Sequence, residues 1–228
     1  MKKIGVILHG SGVFDGSEIH EATLSLLAIR EAGAVYECYA PDVDQYHVIN
    51  HTTGEEMPEK RNVLVESARI ARGEIKNLME LDLDAVDGLL IPGGFGAAKN
   101  LSTWAFDGPA GSVLPQMKEV ILAAVRKQVP IASLCVSPVV VAKALEGSEY
   151  HPQLTLGTSK QASPYDIAGF SAGIESVGAV AQSASIEEVW VDSTLKIVTA
   201  PCYMMETDIL GIRANTKQAV ERLLELIG

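Results

Sequence analysis

Cys135 stands in the stretch Val129-Pro130-Ile131-Ala132-Ser133-Leu134-Cys135-Val136-Ser137-Pro138. The apolar run before it, ending in small residues, predicts a buried strand. Ser137 and Pro138 then open Val139 to Leu145, which predicts a helix, with Ser at the N-cap and Pro at the first helical position. The cysteine therefore belongs on a tight strand-to-helix turn with a helix N-terminus aimed at it. The helix dipole and free N–H groups there favour a thiolate. The spacing follows the nucleophile-elbow pattern G-x-[S/C]-x-G, with Ser133 and Ser137 in the places of the glycines.

A nucleophilic thiol needs a proton partner and a place for a developing oxyanion. Glu18, at the start of the predicted first helix, is the candidate carboxyl. The spacing Asp15-x-x-Glu18 equally fits a capping box. Gly93-Gly94-Phe95-Gly96 follows a predicted strand, and its backbone N–H groups suit an oxyanion hole shared with Val136. A tight turn requiring positive φ explains the same glycines. Among the histidines, His151 is placed to close a Cys-His pair or to be an exposed loop residue, and His9 lies in the first loop of the site edge. His9, Gly93 and His151 are the candidate substrate contacts, with Gly94 and Val136 as the backbone oxyanion donors. Cys38 and Cys202 read as packing thiols. No HExxH or CxxC grouping points to a metal.

These residues need elements to carry them. Strands are predicted at 3–8, 35–40, 85–92, 129–134 and 154–157, with a short one at 48–50 and a hairpin at 189–200. Helices are predicted at 17–32, 62–72, 114–127, 164–177 and 207–227, the first with Ile19, Ala22, Thr23, Leu26 and Leu27 on one face. This alternation implies an α/β sandwich with a mostly parallel sheet covered on both faces. The loops at Gly10, Gly93 and Cys135 all fall at the carboxyl ends of strands, where such folds place their sites. Gly10-Ser11-Gly12 opens a loop like a dinucleotide fingerprint, but the third glycine, Gly16, comes one residue late.

The 228 residues suit one domain spanning 1–228. The balance of 18 Lys+Arg against 29 Asp+Glu gives a net charge of −11, which argues against nucleic acid or an anionic membrane as partner. Three cysteines, odd in number and widely spaced, suggest no disulfide framework, and a cytoplasmic setting is expected.

Longer strings carry a resemblance. The segments Gly12-Val13-x-Asp15-Gly16-Ser17-Glu18-Ile19-His20-Glu21-Ala22, Arg61-Asn62-Val63 through Gly73-Glu74-Ile75 and Pro92-Gly93-Gly94-Phe95-Gly96-Ala97-Ala98-Lys99-Asn100 resemble the ElbB family of bacterial glyoxalases. That family lies in the ThiJ/PfpI superfamily, related in fold to class I glutamine amidotransferases and flavodoxin. The resemblance implies a flavodoxin-like three-layer sandwich, a homodimer, Cys135 as nucleophile with Glu18 as its carboxyl partner, and conversion of glyoxal or a similar small 2-oxoaldehyde to a 2-hydroxy acid without a cofactor. A non-catalytic thiol redox sensor or stress-related binding protein of the same fold is the alternative. Glutamine hydrolysis is not expected, because it needs a His-x-Glu pair after the cysteine and no histidine lies beyond His151.

Overall fold

The computed structural model describes residues 1–228. In chain order the elements are β1 (Lys3–Ile7), α1 (Ile19–Glu31), β2 (Val35–Ala40), α2 (Val63–Ile70), β3 (Ile75–Asn77), β4 (Gly88–Ile91), α3 (Phe95–Lys99), α4 (Trp104–Asp107), α5 (Pro115–Lys127), β5 (Ile131–Leu134), α6 (Pro138–Leu145), β6 (Gln153–Thr155), α7 (Ile167–Ser176), β7 (Val180–Gln182), β8 (Trp190–Asp192), β9 (Ile197–Ala200) and α8 (Ile209–Ile227). Seven strands form one sheet in the order β3-β2-β1-β4-β5-β9-β8, parallel except for β8, which runs antiparallel to β9. Helices cover both faces, giving the expected three-layer α/β sandwich. That coverage explains why β4 (GLLI) and β5 (IASL) are buried at every position instead of alternating.

The chain leaves β1 toward β2 and β3, then returns to the other side of β1 with β4. This reversal opens a crevice beyond the carboxyl ends of β1 and β4, where ligands bind in sheets of this kind. The loop after β1, the glycine turn after β4 and the elbow after β5 all emerge there.

Two expected strands take another form. Residues 48–50 contribute only a single antiparallel bridge, Ile49 with Glu56. The strand expected at 154–157 forms as β6, but it pairs with β7 in a separate two-stranded parallel sheet. No helix is long and apolar enough to cross a membrane.

Helix α1 carries the site, and its rotation is decisive. Its buried residues are Glu21, Ala22, Ser25, Leu26, Ala28 and Ile29. Ile19 and Leu27, expected on the core face, are exposed. Packing of α1 alongside α8 turns the helix so that a carboxylate residue, Glu21, faces inward. Gly33, at φ +78°, ends the helix in the left-handed conformation that glycine tolerates.

Candidate active site

Cys135 sits at φ +57°. A non-glycine residue held there stores roughly 1–3 kcal/mol of backbone strain, a feature concentrated at functional sites. The turn is over-determined by its neighbours. The Cys135 N–H donates to Ala200 O at 2.8 Å, and the Ser137 N–H donates to Leu134 O at 3.0 Å. Ser137 is not the side-chain cap that its position suggests. Its hydroxyl lies 2.7 Å from Ser133 Oγ, 3.1 Å from Ile91 O and 2.8 Å from Leu134 O. The two serines in the glycine positions of the motif therefore clamp the elbow to β4 and β5.

The carboxyl against the Cys135 sulfur belongs to Glu21. Glu21 is fully buried. Its Oε2 accepts the Gly93 N–H at 2.9 Å, and its Oε1 accepts the Tyr203 N–H at 3.1 Å. Burial, followed by the nearby charge of Glu18, pushes the Glu21 carboxyl up to about 8, so at neutral pH it keeps its proton and donates to the sulfur. Burial first, and then the Glu21 charge, push the Cys135 thiol well above its ordinary range, and the Gly94 and Val136 N–H groups oppose this only in part. With Glu21 protonated the charge repulsion vanishes, and three donors converge on the sulfur.

The expected Glu18–Cys135 dyad is thereby corrected. Glu18 occupies the N-cap of α1, where its Oε2 accepts the Glu21 N–H at 2.7 Å. Its other carboxylate oxygen has no protein donor, and the residue lines the cleft at Cys135. Glu18 thus opens onto the cleft, while Glu21 lies against the Cys135 sulfur.

The remaining expectations divide clearly. Gly94, at φ +102°, and Val136 do aim their N–H groups at Cys135. Gly93 is not open to substrate, because its N–H serves Glu21 and its carbonyl accepts the Glu18 N–H at 2.8 Å. A Cβ at 93 would overlap Cys135 Cβ and Glu21 Oε2 and come within 2.9 Å of Cys135 Sγ. Gly93→Ala is therefore expected to destabilise the protein by about 3 kcal/mol, the upper range for overpacking, read from its urea midpoint. His9 is fully buried, with Nε2 3.0 Å from Pro92 O. Burial lowers it to about 4, so it is a neutral support beneath the glycine turn and not a substrate contact. His151 is exposed and its Nδ1 lies 2.9 Å from Gly178 O, next to β7. It closes no Cys-His pair. Cys202 is fully buried, with its thiol pushed up by burial and by the charges of Glu21 and Cys135.

The cleft at Cys135 is narrow, with about 10 Å³ of free room, and is lined by Val13, Glu18, Phe95, Val136, Tyr165, Phe170, Tyr203 and Met204. It shares Val13, Glu18, Tyr165 and Tyr203 with a wider vestibule reaching His20 and Glu206. No lysine or arginine lines either space. Such a chamber favours a small uncharged ligand over an anion. No group of three or more His, Cys, Asp or Glu side chains is arranged to hold a metal ion.

An elbow cysteine beyond a flavodoxin-like sheet, paired with a carboxyl from α1, is the arrangement of a class I glutamine amidotransferase-like protein. No protein-family model matches the chain. It is 40% identical over 228 residues to the rat protein named "ES1 protein homolog, mitochondrial", covering 99% of this chain and 84% of that one. The human "Glutamine amidotransferase-like class 1 domain-containing protein 3, mitochondrial" matches with the same identity and coverage. The chain belongs to this ES1 family. A crystal structure from Ehrlichia chaffeensis, described as an isoprenoid biosynthesis protein with amidotransferase-like domain, superposes with a TM-score of 0.89 at 30% identity over all of both chains. A ThiJ/PfpI domain protein from Brachyspira murdochii, at TM-score 0.53, 16% identity and coverage of 98% and 96%, shares the fold alone. The cytoplasmic setting expected from the cysteines is overturned, because both 40%-identical relatives are named mitochondrial. Free thiols report a reducing environment and do not distinguish one such compartment from another.

Proposed function

We propose that the protein is a cofactor-independent glyoxalase-type enzyme that converts glyoxal, or a similarly small 2-oxoaldehyde, to a 2-hydroxy acid, acting as the homodimer implied by the resemblance. The observation that carries this reading is a strained thiol met by two backbone N–H groups and a protonated carboxyl, in a small chamber lined by no histidine or cation. The thiol adds across the first carbonyl, with sulfur bonding to C1 and the thiol proton ending on its oxygen. Gly94 and Val136 hold the charge as it develops. Glu18 removes the C1 proton from the hemithioacetal and returns it to C2, which leaves a thioester at C1 and an alcohol at C2. Water cleaves the thioester to glycolate and the free thiol. C1 is oxidised and C2 reduced by the same two electrons, so no external oxidant enters.

The test is glycolate release from glyoxal by the purified protein. Glu18→Gln keeps a cap oxygen for the Glu21 N–H but cannot act as a base, so turnover is expected to fall by about 10²–10⁴ with alkylation of Cys135 by iodoacetamide retained. A blank glyoxal assay, together with selective oxidation of Cys135 by mild peroxide, would establish the redox-sensor reading instead.

A further inference from the structure

We propose that Tyr165 is a further catalytic residue, donating its phenolic proton to the carbonyl oxygen of the carbon that Cys135 does not attack, and that it thereby selects dicarbonyls over simple aldehydes. The inference rests on the glyoxalase reading and deepens it. Tyr165 lies in the loop before α7, and it lines both the chamber at Cys135 and the vestibule outside it. The Tyr203 hydroxyl, on the same cleft, is engaged by protein, 2.9 Å from His20 Nδ1. The Tyr165 hydroxyl makes no hydrogen bond to any protein group, although the ring is half-buried. A residue that lines the chamber thus carries an unused donor, one that feels the charges of Cys135, Glu21 and Glu18.

The ring is held in place. It meets Phe95 edge-on, with centroids 5.8 Å apart. Its backbone N–H donates to Ser163 Oγ at 2.9 Å, and that serine in turn donates to Met204 O at 2.6 Å. Phe95 directly follows the glycine whose N–H faces the sulfur, so the two ends of a bound dicarbonyl are gripped by one connected structure. Burial first, then the charges of Cys135, Glu21 and Glu18, push the phenol up to about 12, which keeps it a proton donor throughout the working range.

This position answers a need in the chemistry. Gly94 and Val136 are committed to the oxygen on C1. When Glu18 takes the C1 proton, the C–H electron pair becomes the C1–C2 π bond and the C2 carbonyl pair moves onto its oxygen. Tyr165 supplies the proton that neutralises that oxygen, giving an enediol. As C2 takes the proton back from Glu18, the C1 hydroxyl loses its proton, which restores the phenol. Atoms and electrons balance within the substrate, the carboxyl and the tyrosine. A monoaldehyde has no second oxygen and makes no use of the residue.

Tyr165→Phe, Cys135→Ser and the wild-type protein distinguish this inference from the reading beneath it. Tyr165→Phe is expected to lower kcat/KM for glyoxal about 100-fold, while iodoacetamide alkylates Cys135 at the wild-type rate. A second measurement needs no turnover: the protection of Cys135 from alkylation by reversible adducts with glyoxal or with propionaldehyde. The glyoxal adduct is expected to weaken roughly threefold to tenfold in the variant, the range for one lost hydrogen bond, with the propionaldehyde adduct unchanged. Equal weakening of both adducts, or wild-type turnover by Tyr165→Phe with Cys135→Ser inactive, overturns the role of Tyr165. Turnover surviving in Cys135→Ser overturns the glyoxalase mechanism, and the adduct measurement then still decides whether Tyr165 recognises a second carbonyl.

Discussion

Cys135→Ser is expected to lower glycolate formation from glyoxal by about 10⁴-fold or more, the scale seen when a nucleophile is removed from a preorganised site. The reason lies in what surrounds the sulfur. A serine hydroxyl needs a base to attack a carbonyl, and no histidine lines the chamber. The group in contact, Glu21, keeps its proton at neutral pH and so cannot serve, and Glu18 is assigned to the substrate C1 proton instead of the side chain at 135. The Gly94 and Val136 N–H groups stabilise charge that has already formed but do not remove a proton. The fold itself should tolerate the change, since serine is close to cysteine in size and the positive φ at this position already strains either residue. Thermal unfolding of the variant within a few degrees of wild type would separate lost chemistry from lost structure. Retention of a substantial fraction of activity would remove Cys135 from the mechanism.

Glu21→Gln carries the second large effect, and it appears as a dependence on pH. The carboxyl is raised from 4.5 to about 8 by burial and by Glu18. Between those values the native state holds a proton that the unfolded chain has lost. Stability is therefore full below about pH 4.5 and falls as pH rises, by about 1.4 kcal/mol per unit, until it levels off near pH 8. The whole excursion is of order 5 kcal/mol. Gln cannot ionise, so urea unfolding of Glu21→Gln is expected to lose this slope and the variant to gain on wild type as the solution becomes alkaline. The exchange has a cost at low pH. Both carboxyl oxygens accept a backbone N–H, from Gly93 and Tyr203, and an amide NH₂ cannot accept either. One donor is left unsatisfied, at about 1–3 kcal/mol. Alkylation of Cys135 follows the same titration. In wild type the rise of the rate with pH is expected to level off above about pH 8, as a carboxylate replaces the donor beside the sulfur, and the variant should lack that break. An unchanged urea slope in Glu21→Gln would mean that another group governs it.

Much of the site was legible in the chain. Apolar runs bounded by turn residues located β1, β4 and β5, and the order of the elements brought their carboxyl ends to one edge. The glycines after β4 and the Cys-x-Ser-Pro turn after β5 are backbone signals, read within a few residues, so Gly94, Val136 and Cys135 could be named together. Helix α1 is different. A helical period places residues on faces, but neighbouring positions differ by only 100°, and Ile19, Ala22, Thr23, Leu26 and Leu27 make as good an apolar stripe as the one actually buried. A glutamate among Ala22, Ser25 and Leu26 is the available sign that the face is turned, whereas position at the helix start points to Glu18.

What the sequence by itself determined is the sandwich, the edge at which its loops meet, and the elbow cysteine with its two backbone donors. These depend on local geometry that neighbouring residues impose. The tertiary structure decided which carboxyl meets the thiol, because the rotation of α1 is set by its packing alongside α8. It also buried His9, left His151 on the surface away from Cys135, placed Ser133 and Ser137 against each other, and brought Tyr165 to the chamber from a loop thirty residues past the elbow. Such pairings between residues distant in the chain are settled by burial and packing across the fold, and no spacing along the chain encodes them.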